Sequence, residues 1–315
     1  MEAGARTREH VPPPGRLPAP SPAAAPTQAS SLRRVVRDYV DMTKPRVQSL
    51  LLFTTVTTMY VAGTPALSRV LLTCLGGALA SGGAGAINHF LDRDIDARMT
   101  RTASRPLPSG RVSPAAALGY GIALGLASFA LLAWTVNLLA AALALSGLLG
   151  YVLVYTLWLK RRTPQNIVIG GAAGAVPPLV AWAATTGGLD GTALYLFAIV
   201  FYWTPPHFWA LSLLMKDDYA SAGVPMLPVV RGEAETRWQI LLYTILLVAV
   251  TLLPFAFGAF GGLYLVAALI LGSAFTGMAI RLHRDADRRR ALKLYLFSLA
   301  YLALLFAAMV ADARL

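Results

Sequence analysis

The sequence predicts an all-α, polytopic membrane protein, and three observations carry that expectation. Of 315 residues, 57% are hydrophobic and 13% charged, a balance foreign to water-soluble domains of this size. Apolar runs of roughly 18 to 22 residues recur along the chain, each long enough to cross about 30 Å of hydrocarbon as a helix. The runs are continuous instead of alternating, which excludes a barrel of strands about ten residues long. We count nine spans, at 47–63, 70–90, 115–134, 138–159, 166–186, 193–214, 239–258, 260–280 and 292–311. The first follows the basic pair Lys44 and Arg46, with Pro45 fixing its own φ between them. The second runs into NHFLDRDID, the fourth into KRR, and the sixth into MKDD. The fifth contains IGGAAGA, whose Gly170, Gly171 and Gly174 would permit close helix packing.

The charges between the spans orient them. Arg33, Arg34, Arg37, Lys44 and Arg46 precede the first span, Arg93, Arg98, Arg101, Arg105 and Arg111 fill the second connection, and Lys160, Arg161 and Arg162 fill the fourth. Lys216, Arg231 and Arg237, then Arg281, Arg284, Arg288, Arg289, Arg290 and Lys293, continue on that side, while the other face carries Arg69, Asp190, Asp312 and Arg314. By the positive-inside rule the N-terminus is cytoplasmic and the C-terminus outside. The net charge of +12 is then a topology signal and not a nucleic-acid footprint. Residues 1–31, rich in Pro and Ala, are expected to be a disordered tail ahead of a membrane domain at 32–315. Its prolines oppose the amphipathic helix of a mitochondrial transit peptide, so a bacterial plasma membrane is the expected location. A single cysteine, Cys74, excludes an internal disulfide and reads as core packing.

Acidic residues are not placed by the positive-inside rule, so their positions carry more information. Five of the fifteen lie in two short clusters, Asp92, Asp94 and Asp96, and Asp217 and Asp218, each at the cytoplasmic end of an even-numbered span. If the second helix continues past the membrane, Asn88, Asp92 and Asp96 recur every four residues and share a face, with Asp94 opposite. Carboxylates of this kind suit a hard cation such as Mg²⁺, which takes one or two of them plus substrate phosphate oxygens, and basic side chains would hold the rest of the phosphate. The expectation is a magnesium-bridged diphosphate site; a solvated loop of weak ion pairs is the alternative.

Four stretches then become familiar together. DYVDMTKPRVQSLLLFTT, NHFLDRDIDARMTRTASRPL, KRRTPQNIVIGGAAGAVPPLVAW and YWTPPHFWALSLLMKDDYASAGVPMLPVV resemble, in order, the protohaem IX farnesyltransferase family of UbiA-type intramembrane prenyltransferases, over residues 38–235. The resemblance implies a nine-helix bundle around a central apolar cavity, capped by the two Asp-bearing loops. It implies transfer of the farnesyl group of farnesyl diphosphate to a vinyl group of protohaem, with water supplying a hydroxyl, and onward partners among haem-modifying or oxidase-assembly proteins. Asn88, Asp92 and Asp96 match the N-x-x-x-D-x-x-x-D pattern of the superfamily position by position. The second loop departs from its usual D-x-x-x-D spacing, having the adjacent pair Asp217 and Asp218, as the haem branch does.

On that footing Asp92, Asp96 and Asp217 are the expected Mg²⁺ ligands, which would neutralise charge on the departing diphosphate. Lys44, Arg46 and Lys216 are the leading cationic partners, followed by Arg93, Arg101 and Arg105, all of which also satisfy topology. An allylic cation needs a dry cavity, and Tyr202, Trp203, Phe208 and Trp209 crowd the sixth span where their π faces could serve it. His207 stands ten residues before Asp217, about 15 Å deeper on a continuous helix, at a depth suited to a ligand for haem iron. Its alternative role is to satisfy carbonyls freed by Pro205 and Pro206, and His89 is a rival haem ligand. Prenylation of a quinone precursor is the nearest competing activity. An ion transporter would need acids near the bilayer midplane, and every Asp and Glu falls outside the nine spans.

Overall fold

Each of the nine expected spans coincides with a helix in the computed structural model, which describes residues 28–315. The first 27 residues of the expected tail lie outside the described residues, and the first helix, α1 (Gln28–Met42), opens at its end. Residues up to Val36 belong to one compact unit and Arg37–Leu315 to another, and the account below concerns the second.

The spans correspond to α2 (Pro45–Ala62), α3 (Leu67–Leu91), α5 (Pro114–Thr135), α6 (Leu138–Leu149) with its π-helical extension Gly150–Leu159, α7 (Asn166–Thr186), α8 (Gly191–Leu214), α11 (Gly232–Ala256), α12 (Gly262–Arg284) and α13 (Arg288–Asp312). Short helices α4 (Arg93–Arg98), α9 (Lys216–Ser221) and α10 (Leu227–Val230) occupy the connections after α3 and α8. Seven of the long helices are long and apolar enough to cross a membrane, so this is an integral membrane protein. The two outside that set are α2 and α8. Arg46, Gln48 and four threonines lower the hydropathy of α2, while Tyr, Trp, Pro and His lower that of α8. Both carry residues whose polar atoms are used inside the bundle.

Local chemistry sets the helix ends. Ser113 accepts from Ala116 N to cap α5, Asn137 from Ala140 N to cap α6, and Asp190 from Thr192 N and Ala193 N to cap α8. Gly187, with φ 81°, closes α7 in the left-handed conformation that a residue bearing Cβ resists. The outer faces are apolar, with Leu126 68% and Trp134 89% exposed, as a bilayer permits.

Two packed cores share α7. Val180, Ala181, Ala183 and Ala184 face Met59, Ala80, Leu132 and Ala141, whereas Ala175 and Trp182 join the larger cluster of α8, α11, α12 and α13. Small residues bring the helices together: a Cβ on Gly83 of α3 would stand 2.7 Å from Gly121 O of α5. In the IGGAAGA stretch, a Cβ on Gly170 would meet the Tyr155 ring at 2.4 Å and one on Gly171 would meet Thr204 at 3.1 Å, while Gly174 faces open space. The close packing expected there belongs to the first two glycines.

Candidate active site

The C-terminal end of α3 builds one wall of the site. Asp92 N donates to Asn88 O at 2.8 Å and Asp96 N to Asp92 O at 2.7 Å, so the i to i+4 ladder runs on from α3 into α4 through a slight break at Asp92. Asn88, Asp92 and Asp96 are therefore stacked along one face and are 3%, 1% and 2% exposed. Asp94, as expected, points away, its side chain 53% exposed.

Buried carboxylates require partners, and cations converge on these. Arg105 Nη1 forks onto Asp96 at 2.7 and 2.8 Å, and Thr102 Oγ1 donates to Asp96 O. Lys160 Nζ pairs with Asp92 Oδ2, which also accepts from Asn88 Nδ2 at 2.7 Å. Asp92 Oδ1 is buried with no hydrogen-bond partner, the nearest cation being Arg161 Nη2 at 3.8 Å. Arg161 is itself held by a fork onto Asp94 and by Leu91 O. That fork depresses the Asp94 carboxyl to about 2.

Lys44 enters from the start of α2. It is the sole non-glycine residue with positive φ among the described residues, at 56°, immediately before Pro45, which normally pushes its predecessor toward extended geometry. Such strain persists only where the surroundings fix it. Here they do: Lys44 Nζ donates to Asn88 Oδ1 at 2.6 Å and to Tyr151 OH at 3.3 Å. Burial, then the nearby Arg105 guanidinium, lower this ammonium to about 8, and Asp92 and Asp96 only partly offset them.

The opposite wall is the π-helical segment Gly150–Leu159. Lys160 N bonds Tyr155 O five residues back, and Thr156 Oγ1 donates to Tyr151 O. At about 4.4 residues per turn, Tyr151, Thr156 and Lys160 fall within about 50° of one another. In α geometry they would spread over about 180°. The wide winding thus presents Tyr151 to Lys44, Thr156 Oγ1 to Asn88 Nδ2 at 3.1 Å, and Lys160 to Asp92.

The remaining expected residues are not drawn into this cluster. Asp218 Oδ1 accepts from Thr100 N at 3.3 Å, tying the second loop to the first, while Asp217 is exposed on α9. Lys216 turns outward to Glu233 at 3.0 Å, Arg93 caps Phe90 O, and Arg46 and Arg101 are exposed. Among the described residues no three acidic, His or Cys groups converge as a ready-made metal cage, and Asp217 stands exposed on α9. His89 is buried with both ring nitrogens unpartnered. His207 Nδ1 lies 2.7 Å from Ser298 Oγ, so the imidazole meets α13 instead of the carbonyls freed by the prolines. Lys160 and Arg161 read in the sequence as topology charges, and Tyr151 and Thr156 as lipid-span residues. KRRTPQN was the available signal.

Lys44, Arg105, Lys160 and Arg161 thus ring a pair of buried carboxylates at one end of the bundle. Residues 50–305 match the UbiA prenyltransferase family. The chain belongs to this family. A protoheme IX farnesyltransferase from Symbiobacterium thermophilum is 54% identical over 283 residues, covering 89% of this chain and 95% of that protein. One from Roseiflexus sp. strain RS-1 is 55% identical over 280 residues, 88% of this chain and 52% of that protein, so the chain spans about half the length of several curated relatives it matches. A solved UbiA homolog from Archaeoglobus fulgidus, bound to DMAPP and Mg²⁺, is 16% identical with a TM-score of 0.62 over 86% of this chain and 99% of its own, which shows the shared fold.

Proposed function

We propose that the protein transfers the farnesyl group of farnesyl diphosphate to a vinyl group of protohaem IX. The C1–O bond to diphosphate breaks, C1 bonds to the terminal vinyl carbon, water adds to the inner carbon and loses a proton, and haem O and diphosphate leave. The observation that carries this reading is the buried Asn88, Asp92 and Asp96 face with its surrounding cations, in a chain more than half identical to relatives named protoheme IX farnesyltransferase.

Asp92 and Asp96 are the residues that would hold Mg²⁺. The buried Asp92 Oδ1 without a hydrogen-bond partner suits a hard cation, and two carboxylates suffice when diphosphate oxygens complete the shell. When bound, Mg²⁺ supplies Lewis-acid stabilisation of charge on the leaving diphosphate. Asn88 orients Asp92 by donating to it while accepting from Lys44. Lys44, Lys160, Arg105 and Arg161 already surround the carboxylates, and rotating any of them toward phosphate oxygens exchanges one anion for another. Of the second acidic pair, Asp218 is the better placed to close the site, because it already reaches Thr100 in the first loop.

We place the reaction in residues 32–315, with nine transmembrane helices around an apolar cavity, in the plasma membrane, with the Asp-bearing loops cytoplasmic. Mass spectrometry of haem extracted from membranes tests the activity. Cells making the protein should contain farnesylated hydroxyethyl haem, and cells making Asp92→Asn should not. Unmodified haem beside a newly prenylated quinone precursor would transfer the assignment to the competing acceptor.

A further inference from the structure

His207 follows Pro205 and Pro206 on α8 and is held on three sides by aromatic and polar groups. Its ring lies between Trp203, at 4.2 Å and 19°, and Tyr295 of α13, at 4.8 Å and 28°. Its Nδ1 is 2.7 Å from Ser298 Oγ. Ser298 directs its one hydroxyl proton to Tyr295 O at 2.6 Å, so toward the imidazole it can only accept. Nδ1 therefore carries the proton, and the lone pair of the neutral ring is on Nε2, which makes no hydrogen bond. Ser298 also anchors one of the two flanking rings, since its carbonyl accepts Trp203 Nε1–H at 2.7 Å. One residue thus fixes the tautomer of the imidazole and the plane it lies in.

That is the arrangement a metal-ligating histidine requires: one nitrogen donating to a fixed acceptor, the ring held in plane and the other nitrogen free of hydrogen bonds. We propose that His207 Nε2 is the axial ligand for the iron of the porphyrin acceptor and that Ser298 is its positioning residue. The proposal rests on protohaem being the acceptor. Iron ligation would hold the macrocycle on α8, about 15 Å from the level of the acidic loops at an even helical rise. A helix-to-helix tie through Ser298 is the competing role, and it predicts no preference for iron.

Purified wild type and three variants, His207→Ala, Ser298→Ala and Ser298→Thr, are titrated with iron protoporphyrin IX and with metal-free protoporphyrin IX, following the Soret band. Farnesyl diphosphate binding, expected to be unchanged, reports that each variant is folded. Wild type should shift the Soret band of the iron compound. His207→Ala should abolish that shift and weaken iron-porphyrin binding at least about 10-fold, with the metal-free compound unaffected. Ser298→Ala should weaken only iron-porphyrin binding, by roughly 10-fold as for other such outer partners, and Ser298→Thr, which keeps the hydroxyl, should restore it. Equal losses for both porphyrins, or no loss for either, overturn the ligand assignment. If wild type farnesylates haem while its iron spectrum ignores His207, this inference fails and the proposed function stands. If wild type neither binds nor converts haem, the proposed function fails first.

Discussion

Lys44 combines two costs, a left-handed backbone before proline and a buried ammonium, and both are met by the contacts of its Nζ with Asn88 and Tyr151. With its pKa lowered to about 8, the free site carries this positive charge below that pH and loses it above. The KM for farnesyl diphosphate should therefore rise as pH passes about 8, and Lys44→Arg, charged throughout, should flatten that rise even if it lowers the overall rate. A KM rising identically in both proteins would remove Lys44 from diphosphate binding. Asp92 poses the sharper test. Replacing it with Asn keeps size but removes the charge that faces Lys160 and the open Oδ1 position, and turnover should fall 100-fold or more, about 3 kcal/mol in the barrier. Asp94→Asn alters a half-exposed partner of Arg161 and should cost less than about 10-fold. Comparable losses would mean that the two faces of this helix do not differ in function. The alternation itself was legible in the sequence, because four-residue spacing has one geometric meaning on a helix. The partners were not legible, because Lys160 and Arg105 reach the acids across 68 and 9 residues, and a basic loop residue satisfies topology equally well wherever it points.

At the scale of elements, apolar run length was enough to locate the nine long helices among the described residues, seven of them long and apolar enough to cross a bilayer, where the backbone must satisfy its own hydrogen bonds. It could not reveal how the fourth is wound. YVLVYTLWL carries no proline, and two tyrosines and a threonine are common in any span, yet it adopts π geometry, and three site contacts depend on that register. Inserting or deleting one residue should therefore have opposite consequences. Deleting the lipid-facing Leu153 leaves nine residues that, rewound as an α-helix, still present Tyr151, Thr156 and Lys160 within about 80°. Inserting an alanine after Leu153 turns Lys160 about 80° further round at π winding, away from Asp92. The deletion should retain activity to within about 5-fold and the insertion should lose 100-fold or more, with gel filtration in detergent confirming that both proteins remain monodisperse. Equal effects would show that the wide winding is incidental. Lys216 illustrates the opposite limit of sequence reading: adjacent to Asp217, it turns to Glu233 on the next long helix, a partner that no local pattern announces.

Across the whole molecule, the two ends of the bundle differ in kind. One gathers Lys44, Asp92, Asp96, Arg105, Lys160 and Asp218 into a charged layer. The other is held by single polar clasps: Asp312 accepts from Gly261 N and Tyr264 N, and Arg314 donates to Tyr60 O and Gly63 O. Basic residues stay on the cytoplasmic side during insertion, so the charged layer should be cytoplasmic. Cysteine labelling tests this once Cys74 has been replaced by serine. Leu189, exposed in the turn before α8, is a better probe than Asp190, whose carboxylate caps that helix. Ala103 is exposed in the second connection, whereas its neighbour Thr102 is buried against Asp96 and would perturb the site. In intact cells an impermeant maleimide should modify Leu189→Cys and leave Ala103→Cys untouched until the membrane is permeabilised. Labelling of both from outside would break the helix count between them. The reverse pattern would put the carboxylates on the outer face and overturn the orientation that the basic connections predict.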